Sequence, residues 1–330
     1  MLDHWSATVS RLWNSFLGPV AVLANAILIF IIRKHTPASL ITYSVMILMV
    51  AVADCASGLS SIMTTTSLFP RGNQIFVVLR GTCELFSESL EPRAQFCMYW
   101  YALKVQAYLL NHVILIISFI YRMIVITKPF DEYDRKRIHY PIYIYSFLHF
   151  CYFNWVFYMA LEPIDKVNEA ISRVRPELID SGWTYYAVLD VRTPSQIVMN
   201  LTSVYHCWFV LLVVAICRWR IKKYMKTIQF SETVKQLHKS ILKVLLIQTT
   251  GPLLTAITTI LFMIIRTTTS GSVELLENGI AMPTVLMTLV NPIITVALVV
   301  PYRIVFLRWF NVVGTPLTAR ISSTIPEILR

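Results

Sequence analysis

Charged residues and glycine are both scarce in this chain of 330 residues. Only 14% of the residues are charged, whereas 56% are hydrophobic and the mean hydropathy is +0.62. A water-soluble domain usually carries about a quarter charged residues, so a soluble fold is disfavoured. The nine glycines form no repeat, which excludes a collagen-like chain. They also form no Gly-rich loop of the kind that lines the carbonyl-type selectivity filters of channels.

The side-chain patterns of catalysis and metal binding are also missing. The seven histidines form no HxxxH or HExxH pair, and the six cysteines form no CxxC motif. No segment repeats another, as the paired halves of many secondary transporters do. We therefore predict no metal and no cofactor, and we expect that the protein is not an enzyme.

Basic residues are the one charged class in excess. The 29 Lys and Arg outnumber the 18 Asp and Glu, which gives a formal charge of +11. Nucleic-acid-binding domains carry such charge on a solvated surface. Here the basic residues lie between long apolar stretches, so they favour a membrane protein with no nucleic-acid partner.

Seven apolar stretches are long enough to cross a hydrocarbon core of about 30 Å as helices that rise about 1.5 Å per residue. We therefore predict an all-α membrane protein, a seven-transmembrane helix bundle that forms a single domain over residues 1–330. The stretches cover about residues 16–32, 40–63, 97–126, 138–161, 197–217, 241–265 and 279–300.

The residues between these stretches predict the orientation. With the amino terminus outside, nineteen Lys and Arg fall on the cytosolic side and nine on the outer side. Cytosolic loops of membrane proteins carry the excess of Lys and Arg, so we expect an outer amino terminus and a cytosolic carboxyl terminus. Residues 301–330 then form a cytosolic tail that begins with an interfacial helix. Basic residues at the end of the fifth stretch, such as Arg218 and Arg220, predict contact with anionic membrane lipid.

Two charged residues lie inside the predicted spans. Asp54 lies in the second, and Lys104 lies in the third, about 10 Å below Cys97 by helical rise. A charge in the hydrocarbon core is costly unless it is paired, hydrated or protonated. Asp54 is therefore either a hydrogen-bond hub with Asn25 and Asn291 or an ion site.

Lys104 is the first candidate for a ligand-binding residue. Its side chain can snorkel outwards, pair with an acidic residue of an outer loop, or enter an outward-facing pocket. In the last case its ammonium would bind an acidic or carbonyl ligand. Asn111, His112 and His206 could line the same cavity, although buried histidines are more often hydrogen-bonded core residues.

Prolines and cysteines predict further features. Pro252 in the sixth span and Pro292, after Asn291 in the seventh, each remove a backbone donor, so they are candidate hinges or packing kinks. Cys83 and Cys97 are the two cysteines near the surface on the oxidising side, so they form the natural disulfide pair.

Short motifs are spread over nearly the whole chain. They are TPASLITYS at 36–44, AD at 53–54, GTC at 81–83, CMYWY at 97–101, SFIYR at 118–122, QLHKS at 236–240, QTTGP at 248–252, NP at 291–292 and PYR at 301–303. In this order and topology they resemble the nematode serpentine receptor class delta family. The resemblance implies a seven-span receptor that binds a small external chemical cue or odorant and activates a heterotrimeric G protein. It further implies the plasma membrane, in the sensory cilium of chemosensory neurons.

Tyr121 and Arg122 stand at the cytosolic end of the third predicted span. In rhodopsin-like receptors an arginine at this place holds the inactive state and then meets the G protein, and the resemblance implies the same role for Arg122. Tyr121 replaces the acidic neighbour of that arginine, so a lock between the two is absent. A plain positive-inside anchor is the alternative for Arg122. We add Tyr121, Arg122, Asp54, Pro252, Asn291 and Pro292 to the prediction as activation residues.

Two other classes of protein remain as alternatives. A small-solute transporter or channel would give a ligand-evoked current or uptake without a G protein, and a membrane enzyme is the third possibility. A nucleotide-exchange assay separates the receptor from both.

Overall fold

The chain forms a bundle of long helices that is covered at one end by a small antiparallel sheet. The computed structural model describes residues 5–37, 40–127, 139–174, 176, 179, 183–202, 206–227, 232–268, 278–279 and 282–309. The helices are α1 (Trp5–His35), α2 (Ile41–Met63), α3 (Leu90–Thr127), α4 (His139–Met159), α5 (Ile164–Val174), α6 (Pro194–Asn200), α7 (His206–Thr227), α8 (Glu232–Gln248), α9 (Thr250–Thr268), α10 (Met282–Leu298) and α11 (Val300–Trp309). The strands are β1 (Thr65–Arg71), β2 (Gln74–Arg80) and β3 (Thr184–Val188), with a 3₁₀ helix over Thr82–Phe86.

Several helices extend beyond the predicted spans. Hydropathy marks only the apolar part of a helix, so the polar first turns of α1 and α3 were not included in the prediction. Among the described residues, four helical segments are long and apolar enough to cross a membrane, or five if the bent pair α10–α11 counts as one span. Helix α4 matches the fourth predicted span in position, but its many tyrosines and histidines lower its hydropathy. The full number of seven spans and the orientation stay predictions.

A sharp bend separates α10 from α11, whose axes differ by 94°. Pro301 lies in the first turn of α11, where a missing N–H removes no helical hydrogen bond. Tyr302 is buried in the bundle, with its hydroxyl 3.2 Å from Thr36 Oγ1. A helix therefore occupies the place of the predicted interfacial helix, and residues 310–330 of the predicted tail lie outside the described residues.

The three-stranded sheet corrects the all-α prediction. Strand β2 lies in the centre, and it pairs antiparallel with β1 and with β3. The hairpin between β1 and β2 turns at Gly72, with a φ of 56°, and Asn73. A run of β-branched and aromatic residues on both sides of Gly-Asn is a hairpin signal. Strands of seven residues are too short to form a membrane-length apolar stretch, so the hydropathy of the sequence does not reveal this hairpin.

Gly81 and a disulfide fix the end of β2 against the helices. Gly81 has a φ of 134°, and a Cβ atom there would lie 2.6 Å from the backbone oxygen of Met63. Two residues later, Cys83 is joined to Cys97 of α3, the pair that the sequence predicts. The segment after β2 is therefore held against the end of α2 by a close backbone contact at Gly81, which a side chain would prevent. The disulfide then holds the same segment against α3.

We expect the substitution Gly81→Ala to lower the free energy of unfolding by about 2–4 kcal/mol, because backbone strain and a backbone clash combine there. Gly72→Ala is the matched control. Its φ is also positive, but nothing lies within 4 Å of the added Cβ, so its cost should be about 1–2 kcal/mol. Thermal unfolding of the two purified variants measures the difference, and equal midpoints would contradict this account of Gly81.

Candidate functional site

A cavity of about 260 Å³ lies between the sheet and the helix ends beneath it. We call it the sheet cavity. Its volume is close to the lower limit of about 300 Å³ for small-molecule sites. Most of its lining is apolar. The lining includes Leu68, Ile75, Val77, Tyr186 and Val188 from the sheet, Met98, Tyr101, Lys104, Val105 and Tyr108 from α3, Phe157 from α4, Ala160 directly after α4, Gln196 and Met199 from α6, Thr255 and Thr259 from α9, and Thr284 from α10.

Lys104 is buried in the wall of the sheet cavity, with 4% of its surface exposed. Its Nζ atom donates a hydrogen bond of 3.2 Å to Oδ1 of Asn14 on α1. The Asn14 amide is held in turn, since its Nδ2 donates to the Ser10 carbonyl. Within the described ranges no carboxylate forms an ion pair with Lys104. Of the three predicted placements, the structure therefore has the one inside a pocket.

Tyr186 of β3 separates the sheet cavity from a second hollow between α3 and α4. This hollow has a volume of about 680 Å³ and shares Met98, Phe157, Leu161 and Tyr186 with the sheet cavity. The Tyr186 hydroxyl accepts a hydrogen bond from the backbone N–H of Glu162. Burial raises the pKa of Tyr186 to about 12, so the phenol stays protonated at physiological pH.

Tyr108 forms the floor of the sheet cavity. Its hydroxyl donates a hydrogen bond to Thr255 Oγ1, and this contact joins α3 to α9. Both residues line the sheet cavity, and Tyr108 also lines a smaller cavity on the other side of the floor. Sequence reasoning missed this pair. Its signal was present, because Tyr108 lies four residues after Lys104 and so on the same face of the helix.

The smaller cavity, here called the polar cavity, has a volume of about 40 Å³ and contains Asp54. The Asp54 carboxylate accepts two hydrogen bonds, one of 2.7 Å from Asn111 Nδ2 and one of 2.9 Å from Asn291 Nδ2. Asp54 is 1% exposed. It therefore joins α2, α3 and α10, and the predicted hub is present with Asn291 and with Asn111, which the sequence suggested for ligand binding.

Asn25 has a different place from the predicted one. Its Nδ2 donates to the carbonyl oxygens of Ala21 and, at 2.8 Å, of Thr288. In a regular helix the Thr288 carbonyl would accept from residue 292, but Pro292 has no N–H. Asn25 supplies the missing donor from a neighbouring helix. Helix α10 is accordingly continuous from Met282 to Leu298, and no hinge opens at Pro292 in this arrangement.

The other predicted hinge coincides with an irregularity. Helix α8 ends at Gln248 and α9 begins at Thr250, and Pro252 cannot donate to the Gln248 carbonyl. The N–H of Thr249 lies 3.1 Å from the Leu245 carbonyl and 3.2 Å from that of Leu246. Residues 239–261 still form one apolar segment of membrane-crossing length. Pro252 thus marks a local weakness in a helix that keeps its direction.

The four predicted ligand residues do not share one cavity. Lys104 lines the sheet cavity, whereas Asn111 and His112 line the polar cavity. Asn111 lies two turns, about 10 Å, further along α3 than Lys104, and the Tyr108 floor lies between them. His206 packs its ring on His112, with centroids 5.8 Å apart, and lines neither cavity. Lys104, Asn111 and His112 thus share helix α3 but lie at different depths along it.

Arg122 is buried at the end of the bundle opposite the sheet, with 5% of its surface exposed. The guanidinium carbon lies 4.5 Å from the centre of the Tyr43 ring on α2, a cation–π contact. Its neighbour Tyr121 belongs to a separate apolar cluster with Met46 of α2 and Ile142 of α4. The Arg122 side chain is therefore directed into the bundle and not outwards from its surface.

These features together define the class of protein. A bundle of apolar helices has a cavity at one end and a buried arginine on an aromatic ring at the other, and helices this apolar are typical of a membrane protein. The chain belongs to the serpentine type 7TM GPCR chemoreceptor Srd family, whose sequence profile matches residues 10–308. It is thus a multi-pass membrane protein of the chemoreceptor class.

Two curated nematode proteins are similar over most of their length. Serpentine receptor class delta-3 of Caenorhabditis elegans is 24% identical over 323 residues, which cover 94% of this chain and 88% of that protein. Serpentine receptor class delta-2 of the same organism is 24% identical over 290 residues, which cover 85% of this chain and 77% of that protein. The family resemblance that the sequence motifs indicate is confirmed.

Proposed function

We propose that this protein is a chemosensory receptor that binds a small external ligand in the sheet cavity and activates a heterotrimeric G protein at the opposite end. The observation that carries the proposal is the buried side chain of Lys104 in the wall of a largely apolar cavity. A cation in such a place is costly for a purely structural purpose and is a functional residue by default. Membership of a chemoreceptor family supports the same function.

The floor of the cavity supplies a route for the signal. Tyr108 and Thr255 both line the sheet cavity, and their hydrogen bond joins α3 to α9. A ligand that changes this contact would bias the position of α9 relative to α3. Below Thr255, the irregularity at Thr249 lets α8 move while α9 stays in contact with the ligand site. The ligand would thus shift an existing equilibrium between two arrangements of the bundle.

The end opposite the sheet supplies the contact for the partner. Arg122 is held on Tyr43 inside the bundle, so the helices around it would have to rearrange to expose it to a partner. The proposal takes the sheet end as the outside and the Arg122 end as the cytosol, in agreement with the excess of basic residues. We further propose seven spans and, from the family resemblance, a location in the plasma membrane of the sensory cilium.

An epitope at Arg330 should be detected only after cells are made permeable.

A nucleotide-exchange assay over a panel of small odorants tests the function. Purified receptor in lipid nanodiscs with a heterotrimeric G protein should accelerate nucleotide exchange when an active odorant is added. Empty nanodiscs are the control. A ligand-evoked ion current or solute uptake in membranes without G protein, combined with no exchange over the panel, would reject the receptor in favour of a transporter or channel.

A further inference from the structure

The charge of the sheet cavity points to one chemical class of ligand. We propose that the cavity binds a small apolar monocarboxylate, with the carboxylate on the Lys104 ammonium. This inference rests on the proposed function and narrows it from small molecules in general to weak organic acids. It follows from three properties of the cavity, which are its unbalanced charge, its spare hydrogen-bond donors and its apolar lining.

The charge of Lys104 is not balanced in the described part of the chain. Lys104 is the one charged side chain among the described lining residues, and its hydrogen-bond partner Asn14 is neutral and 1% exposed. A buried cation without a counter-charge costs several kcal/mol. A carboxylate would supply that counter-charge at the cavity wall. A neutral carbonyl ligand would not, and an amine would add a second positive charge.

The donor count agrees with an anion. A lysine ammonium has three N–H donors, and the Asn14 oxygen takes one of them. The two oxygens of a carboxylate can accept the others, and charge-assisted hydrogen bonds of this kind are about twice as strong as neutral ones. Thr255, Thr259 and Thr284, whose side chains are polar but neutral, also line the cavity. These neutral groups can contact a single carboxylate, but they would not neutralise a doubly charged phosphate ester.

The rest of the cavity determines the rest of the ligand. The apolar surface comes from Leu68, Ile75 and Val77 of the sheet, from Phe157 of α4, and from Ala160 directly after it. An aliphatic or aromatic group fits this lining, because burial of apolar surface is favourable. A volume of about 260 Å³ limits that group to a short chain or a single ring and excludes a full-length fatty acid.

A matched series of probes tests the class of ligand directly. Octanoate, methyl octanoate, octanol and octylamine share one chain and differ in the head group. We expect octanoate to raise the thermal unfolding midpoint of the purified receptor in nanodiscs, with the ester and the alcohol at least about tenfold weaker in half-saturating concentration. Octylamine should have no effect. This comparison uses the unaltered chain and therefore does not depend on a variant that folds.

Substitutions of Lys104 assign the effect to the cavity. Lys104→Met should remove the preference for octanoate over its methyl ester, whereas Lys104→Arg should keep most of it. Lys166→Met is the matched control, since Lys166 is an exposed lysine on α5. The proposal is wrong if the ester stabilises the receptor as well as the acid, if no short acid stabilises it, or if Lys104→Met keeps the preference.

Nucleotide exchange separates this inference from the proposed function. Stabilisation by octanoate with no exchange for any acid or odorant would leave the carboxylate site standing and reject the receptor function. Exchange driven by neutral odorants, with no response to acids, would support the receptor and reject the carboxylate. Exchange driven by octanoate and lost in Lys104→Met supports both.

Discussion

Arg122→Ala is expected to abolish ligand-evoked nucleotide exchange while the receptor still reaches the cell surface. Arg122 is buried on the Tyr43 ring at the end opposite the sheet, and the proposed function makes it the residue that meets the G protein. Alanine removes the guanidinium from both arrangements of the bundle. Surface biotinylation measures delivery, and exchange on purified G protein measures coupling. Full evoked exchange at a normal surface level would contradict the role of Arg122.

Tyr43 supplies the matched control for this prediction. Tyr43→Phe keeps the aromatic face under the guanidinium, whereas Tyr43→Leu keeps an apolar side chain but removes the ring. A desolvated cation–π contact contributes about 1–2 kcal/mol, which corresponds to a factor of about 5–30 in a two-state equilibrium. We therefore expect Tyr43→Leu to raise ligand-independent exchange several-fold and Tyr43→Phe to change it little. Equal basal rates in the two variants would show that the ring does not hold Arg122 back.

Asp54→Ala is expected to lower the free energy of unfolding by about 2–4 kcal/mol, since it leaves two buried amide donors without an acceptor. The carboxylate accepts from Asn111 and from Asn291, and it thereby joins three helices. Asp54→Asn keeps one acceptor oxygen and should cost about half as much. Thermal unfolding of the purified variants in one detergent gives both values.

Asp165 provides the control for Asp54. It is an exposed carboxylate in the first turn of α5, and its replacement by alanine should cost less than about 1 kcal/mol. A loss for Asp54→Ala no larger than that for Asp165→Ala would show that the hub contributes little to stability. The hub would then matter only for signalling, which the exchange assay on the same samples reports.

Part of the candidate site could be predicted from residue type alone. A lysine or an aspartate inside an apolar stretch is conspicuous, so Lys104 and Asp54 were found, and Asn291 followed as a polar neighbour in the seventh stretch. The disulfide between Cys83 and Cys97 could also be predicted, because these are the two cysteines that the expected topology places near the surface on the oxidising side. Tyr108 and Thr255 were missed, because tyrosine and threonine are common in apolar helices and only their contact gives them meaning.

Depth and partner could not be predicted for the same residues. Asn111 and His112 share α3 with Lys104, yet they belong to a different cavity. Asn25 was expected at Asp54 but donates to the carbonyl that Pro292 leaves without a partner. In each case the decisive fact is which atom of a neighbouring helix lies opposite, and that depends on how helices rotate and shift against one another.

The sequence by itself determined the membrane class, the approximate helices and the family, because length, apolar content and local motifs are properties of single segments. The tertiary structure alone decided that β3 completes the sheet, in which Ile75 pairs with Val188 across more than a hundred residues of chain. It also decided that Lys104 lines the sheet cavity and that Arg122 lies on Tyr43. Such contacts join segments that are distant in the chain, and their energy arises only when the bundle packs and the loops close.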